Sequence, residues 1–140
     1  KPLTYMNLSG TSVAAIQRFY KVHVNDLMIV ADDVELPLGK LRLRSSGGTG
    51  GHNGLKDIRN KLGTSAYARL RVGVGRGEVY DLSDHVLGRF SEEEWKEIID
   101  PVGMAKMALL TWIKDGFKSA EQEINYLQAL KNNRPDEAEK

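Results

Sequence analysis

Cysteine is absent from all 140 residues. That excludes a disulfide framework, a thiolate zinc cluster, an iron-sulfur centre and a cysteine nucleophile, and it makes the cytoplasm the expected compartment. Long apolar runs are lacking too. No stretch approaches the roughly 20 residues of a membrane helix, and the opening KPLTYMNLSG offers no apolar segment that could act as a secretory signal. A soluble protein is expected. The first residue is not methionine: Lys1-Pro2 stands directly ahead of structured-looking sequence, so a chain lacking the N-terminal part of its domain is expected. What is present, 41% apolar and 28% charged residues, suits one compact domain. A chain of this size buries roughly 70% of its unfolded surface. The domain is expected over residues 1–130, with a disordered tail over 131–140, where NNRPDEAEK has too little apolar content to offset the entropy of ordering it.

The net charge of +1 conceals three unlike segments. Residues 40–76 carry nine basic side chains against Asp57 alone, whereas residues 77–140 carry 14 acids against eight bases. A basic middle between acidic flanks is expected where one face meets a polyanion while the molecule stays near neutrality. Ordinary solvated positions on strands and a helix are the plainer explanation.

Periodicity outlines an α/β domain with a mixed, largely parallel sheet flanked by helices. TSVAAIQRFY predicts a helix capped by Thr11 or Ser12, with Val13, Ile16, Phe19 and Tyr20 on its apolar face. DLMIVAD predicts a strand covered on both faces and central in the sheet. KLRLRS and RLRVGVG predict strands with arginine at alternate positions, the first presenting its guanidinium groups on one face. Between them SSGGTGGHNG has five glycines in ten residues, and Asn53 is placed to cap a helix that buries Leu55, Ile58 and Leu62 and stops at Gly63. SEEE from Ser91 signals a helix start, Pro101 a break or kink, and Asp115-Gly116 a second break before FKSAEQEINYL.

A glycine loop that opens a helix invites a phosphate reading, but the named nucleotide motifs fail. Leu55 follows Gly54 where a Walker loop needs lysine, and Asn53 and Glu78 stand where dinucleotide fingerprints need a third glycine. The loop still brings His52 and Asn53 close to whatever lies over it. A plain flexible loop is the competing explanation. His23, His52 and His85 lie too far apart in sequence to form a helical zinc pair, so no metal is expected, and His23 and His85 read as structural or exposed. Asp32 ends the apolar strand, where open α/β sheets place their ligand sites. There it can orient an imidazole or merely cap a turn. No serine elbow is present.

TYMNLSG, ADDVELPLGKLRLR, SSGGTGGHNGLKDI and RLRVGVGR, in that order and spacing, closely resemble the bacterial peptidyl-tRNA hydrolases. The resemblance implies a cofactor-free, monomeric α/β enzyme that cleaves the ester between a peptide and the 3′ end of tRNA. It implies that Asp32 orients a catalytic histidine, and that Tyr5, Met6, Asn7, His52 and Asn53 surround the substrate's 3′ end, with Asn53 also near the attacked carbonyl. Arg44, Lys56 and Arg71 resemble basic positions that grip tRNA phosphates. Two positions depart from the family pattern: Ala31 replaces a histidine or tyrosine often found before that aspartate, and Thr49 replaces a residue that is sometimes bulkier. The histidine itself is expected in a strand-loop segment ahead of TYMNLSG. Two other functions compete. One is a non-catalytic RNA-binding relative such as an organellar splicing factor, which would keep fold and basic face without turnover. The other is a nucleotide-dependent oxidoreductase or kinase domain, which the broken glycine fingerprints disfavour.

Overall fold

The computed structural model describes residues 2–76, 89 and 91–133. The expected His85 and most of the expected tail, 134–140, lie outside the described residues. Among the described residues three strands, β1 (Met28–Asp33), β2 (Leu41–Arg44) and β3 (Ala68–Gly73), form one sheet in the order β1-β3-β2. Ala68 N–H donates to Leu27 O and Val74 N–H to Asp33 O, so β1 and β3 run parallel. Gly73 exchanges bonds with Gly39 and Lys40 at the start of β2, the antiparallel pattern that makes the sheet mixed. Among the described residues four α-helices accompany it: α1 (Ser9–Tyr20), α2 (Asn53–Leu62), α3 (Glu92–Asp115) and α4 (Phe117–Asn132). The α/β class read from periodicity is the class observed. No helix among the described residues is long and apolar enough to cross a membrane.

Among the described residues the strand expected at the centre and covered on both faces lies at the edge of the sheet: β3 is central, and Val30 of β1 is 51% exposed. A continuous apolar run does not fix how many strands pair alongside.

The chain clusters into two compact units, Lys1–Val30 with Arg44–Arg69, and Ala31–Leu43 with Leu70–Lys140. In the first, α1 packs on α2 through small residues. Ser9, Gly10 and Ala14 are buried, whereas of the expected apolar face only Val13 is half-buried and Ile16, Phe19 and Tyr20 are exposed, Phe19 by 79%. The reason is close approach. A Cβ on Gly10 would collide with the Asp57 backbone carbonyl, and Gly10 N–H donates to Asp57 Oδ2 at 2.8 Å. A carboxylate borrowed from α2 therefore serves the first turn of α1, complementing its dipole. The expected local cap is not formed, and Ser12 instead bonds Thr4 through their hydroxyls at 3.1 Å.

In the second unit α3 packs on α4, again with alanines inward: Ala105, Ala108 and Ala120 are buried beside Ile124. The break expected at Pro101 does not occur, and one helix runs from Glu92 to Asp115 with Pro101 buried inside it. The proline removes one intrahelical donor, but seven consecutive good helix formers, MAKMALL over 104–110, follow closely and sustain the helix. The break at Gly116, with φ 91°, is found as expected. Gln128 of α4 closes the outer edge of β2, accepting from Leu41 N–H at 3.0 Å and donating to Leu41 O at 3.1 Å. Its amide takes the place of a further strand, and such cover blunts an edge.

Candidate functional site

The glycine loop and the N-terminus of α2 are built by a short chain of local bonds. His52 N–H donates to Thr49 O at 3.0 Å, and the His52 imidazole Nδ1 accepts from Leu55 N–H at 3.1 Å. His52, not Asn53, is thus the N-cap of α2, and Asn53 is its first helical residue, with its side chain exposed. An imidazole can accept at the cap as a serine oxygen does, which frees the asparagine amide for other work. The cap also fixes the ring's chemistry. With Nδ1 accepting, the neutral tautomer carries its proton on Nε2, which makes His52 a hydrogen-bond donor.

Two of the sequence blocks meet here. A 3-10 turn over Met6–Leu8 packs on α2, and a Cβ on Gly54 would lie 2.9 Å from both the Met6 carbonyl oxygen and the His52 ring. Contacts that short do not occur between real atoms, so only glycine lets the MNL turn seat against HNG. Ser9 supports the turn from below by donating its hydroxyl to Met6 O at 2.6 Å. Tyr5, Met6 and Asn7 consequently stand exposed beside the start of α2, with Tyr5 82% exposed. Along α2 the exposed ridge continues through Lys56 and Arg59, since Leu55 and Ile58 face inward. Arg44, at the end of β2, is exposed in the same unit.

The remaining two predicted residues, Asp32 and Arg71, belong to the second unit and are held differently. Asp32 is partly buried near the end of β1. Its neighbour Asp33 is buried, and anchors that strand end with every acceptor it has: Oδ1 takes Glu35 N–H at 2.8 Å, Oδ2 faces Arg71 at 3.5 Å, and its carbonyl takes Val74 N–H at 3.0 Å. Successive strand residues face opposite ways, so anchoring Asp33 presents Asp32 on the other face. Arg71, 11% exposed, is engaged with Asp33, and the Glu35 carboxylate pairs with Arg76. Among the described residues no group of three histidine or acidic side chains could hold a metal ion.

Sequence reasoning missed Arg69, whose guanidinium is almost wholly buried, as well as Asp57 beneath α1 and the Gln128 edge cover. Only Arg69 carried a partial signal, because arginine at alternate positions puts both side chains on one face of the strand, and a face that is covered must bury them.

Fold and site together define an α/β protein in which a glycine loop and a tight turn meet at one helix start. The peptidyl-tRNA hydrolase family model matches residues 1–134. The chain is 45% identical over 125 residues to the peptidyl-tRNA hydrolase of Geobacter sp. (strain M21), a match covering 89% of this chain and 66% of that protein. It is 44% identical over 129 residues to that of Thermotoga sp. (strain RQ2), covering 91% and 69%. Among solved structures, peptidyl-tRNA hydrolase from Acinetobacter baumannii superposes with a TM-score of 0.81 at 33% identity, over 89% of this chain and 63% of that one. This chain belongs to the peptidyl-tRNA hydrolase family. It spans about two thirds of the length of the relatives it matches.

Proposed function

We propose that this chain serves the hydrolysis of the ester joining a peptide to the 3′ end of tRNA, and that the junction of Met6–Leu8 with the start of α2 receives that 3′ end. The observation carrying this reading is the close approach at Gly54, which sets Tyr5, Met6 and Asn7 beside His52 and Asn53. Each has chemistry suited to the task. Tyr5 and Met6 offer exposed apolar surface for the terminal base. Asn7 and Asn53 offer amides that bond ribose hydroxyls, and Asn53 can also support the oxyanion as the ester carbonyl becomes tetrahedral. Lys56 and Arg44 supply phosphate contacts and electrostatic steering. The ion pair between Arg71 and Asp33 gives Arg71 a structural duty, so the proposal assigns it the smallest share of phosphate binding.

In the proposed reaction a histidine takes a proton from water as the oxygen attacks the ester carbonyl carbon. The bond to the ribose 3′ oxygen then breaks, and that oxygen leaves with a proton from the imidazolium. Asp32 orients that histidine and stabilises its charged form. His52 is unsuited to be the base, because its Nδ1 lone pair is committed to Leu55 N–H. His23 likewise accepts Asn25 N–H through Nδ1. Neither His52 nor His23 is therefore assigned as the base. We further propose a monomer acting in the cytoplasm, without cofactor or protein partner. The alternative of a non-catalytic RNA-binding relative finds no support among the matched proteins.

The test is hydrolysis of peptidyl-tRNA by the 140-residue chain itself, with binding measured alongside. Binding of the tRNA without turnover is the expected result; turnover abolished by His52→Ala would make His52 the base and contradict the assignment. In a hydrolase containing this chain, Asp32→Asn is expected to slow turnover by about a hundredfold or more while affinity changes little. Equal losses would make Asp32 a binding residue.

A further inference from the structure

His52 and Asn53, two of the residues that would meet the substrate, follow a loop with four glycines over residues 47–51, yet a loop of that composition has no intrinsic reason to hold one shape. Its shape comes from beneath. Tyr67, fully buried, and Arg69, equally buried, alternate along the chain as it enters β3 and so face the same side. The Arg69 guanidinium lies 4.3 Å from the Tyr67 ring centroid, a cation–π stack. One terminal nitrogen donates to Gly48 O at 2.9 Å and the other to Ser65 O at 2.6 Å. The Tyr67 hydroxyl donates to Leu55 O at 3.4 Å. Gly48 and Leu55 bracket the segment containing His52 and Asn53, so the two stacked side chains hold both of its ends.

We propose that Tyr67 and Arg69 form a buried clamp that positions Asn53 and His52 for the substrate's 3′ end without touching it. The inference rests on the functional reading above only for what the loop meets; the clamp itself stands on geometry within one compact unit. Arginine is specifically required, because only its planar fork reaches two carbonyls while stacking on a ring. Lysine at this position keeps the charge and one bond at most.

The experiment uses the isotope-labelled 140-residue chain, with two readouts: amide exchange at His52 and Leu55, both hydrogen-bonded inside the clamped segment, and affinity for an RNA minihelix ending in single-stranded CCA. Arg69→Lys is expected to speed exchange at both amides about tenfold while Ala14 in α1 changes less than about twofold. Minihelix affinity should fall about tenfold, and in an Asn53→Ala background the same substitution should cost less than about twofold more, because the clamp acts through Asn53. Arg69→Met should lose more than Arg69→Lys, the conservative variant rescuing part of the effect. Should Arg69→Met fail to fold, Tyr67→Phe carries the test with about threefold faster exchange at Leu55. Unchanged exchange in Arg69→Lys overturns the clamp. Faster exchange with unaltered affinity, or additive losses with Asn53→Ala, overturns the positioning role. A native chain that binds no minihelix sinks the functional reading instead, and exchange alone then decides the clamp.

Discussion

Strands β2 and β3 carry nearly the same text, LRLR and ARLRVG, and treat their arginines in opposite ways. In β2 the leucines are buried and Arg42 and Arg44 are exposed, as alternation on a half-covered strand requires. In β3 the leucine and the arginines are both withdrawn from water: Leu70 and Arg69 are buried and Arg71 is nearly so. Coverage of the faces decides. One face of β2 is open to water, whereas both faces of β3 are covered. A guanidinium that enters such a strand must exchange water for carbonyls, an aromatic face or a carboxylate, and each β3 arginine does so. Identical periodicity therefore encodes a solvent-facing basic strand in one place and two internal fasteners in the other.

The largest effect is expected at Arg69. Replacement by Met leaves the Gly48 and Ser65 carbonyls without their donor and removes the stack on Tyr67. We expect a loss of about 3–4 kcal/mol in urea unfolding, in line with breaking a buried charged network. Arg71→Met strands Asp33 in a buried place and should cost about 2–3 kcal/mol, most of it recovered when Asp33→Asn is added, because the penalty belongs to the unpaired carboxylate. No recovery would mean that Arg71 acts through packing. Gln128→Ala removes both bonds to Leu41 and is expected to cost about 1–2 kcal/mol, with a rise in self-association as the β2 edge is uncovered. At the small end, Arg44→Ala should leave stability within about 0.5 kcal/mol. Its effect should lie in tRNA binding instead, with the salt slope shallower by about one. An unchanged slope would remove Arg44 from the phosphate contacts.

How much of this could be read beforehand follows the same physics. Breaks marked by glycine were legible, since Gly63 and Gly116 both adopt positive φ where the sequence placed the helix ends. So were the inward leucine and isoleucine of α2, and the meeting of the MNLSG and GGHNG blocks was implied by the family resemblance. The helix faces of α1 and α3 were not legible, because hydrophobicity ranks large residues first while close helix packing selects Gly10, Ala14, Ala105 and Ala108. The cap of α2 was misassigned by one residue because histidine is seldom weighed as an acceptor. The charge count over residues 40–76 located a basic region, but some of its cations, Arg69, Arg71 and Arg76 among them, are committed to partners within the fold. Sequence counts charge, and only packing shows where it is spent.

If the MNL turn and the start of α2 form one receptor for the tRNA 3′ end, as proposed, then titrating the 140-residue chain with a CCA-ended minihelix while following the Met6 methyl and the Asn53 side-chain amide by NMR will move both signals together with one affinity, and a minihelix lacking the CCA end will move neither. Signals that stay fixed while the RNA binds, or that respond equally without the CCA end, would contradict it.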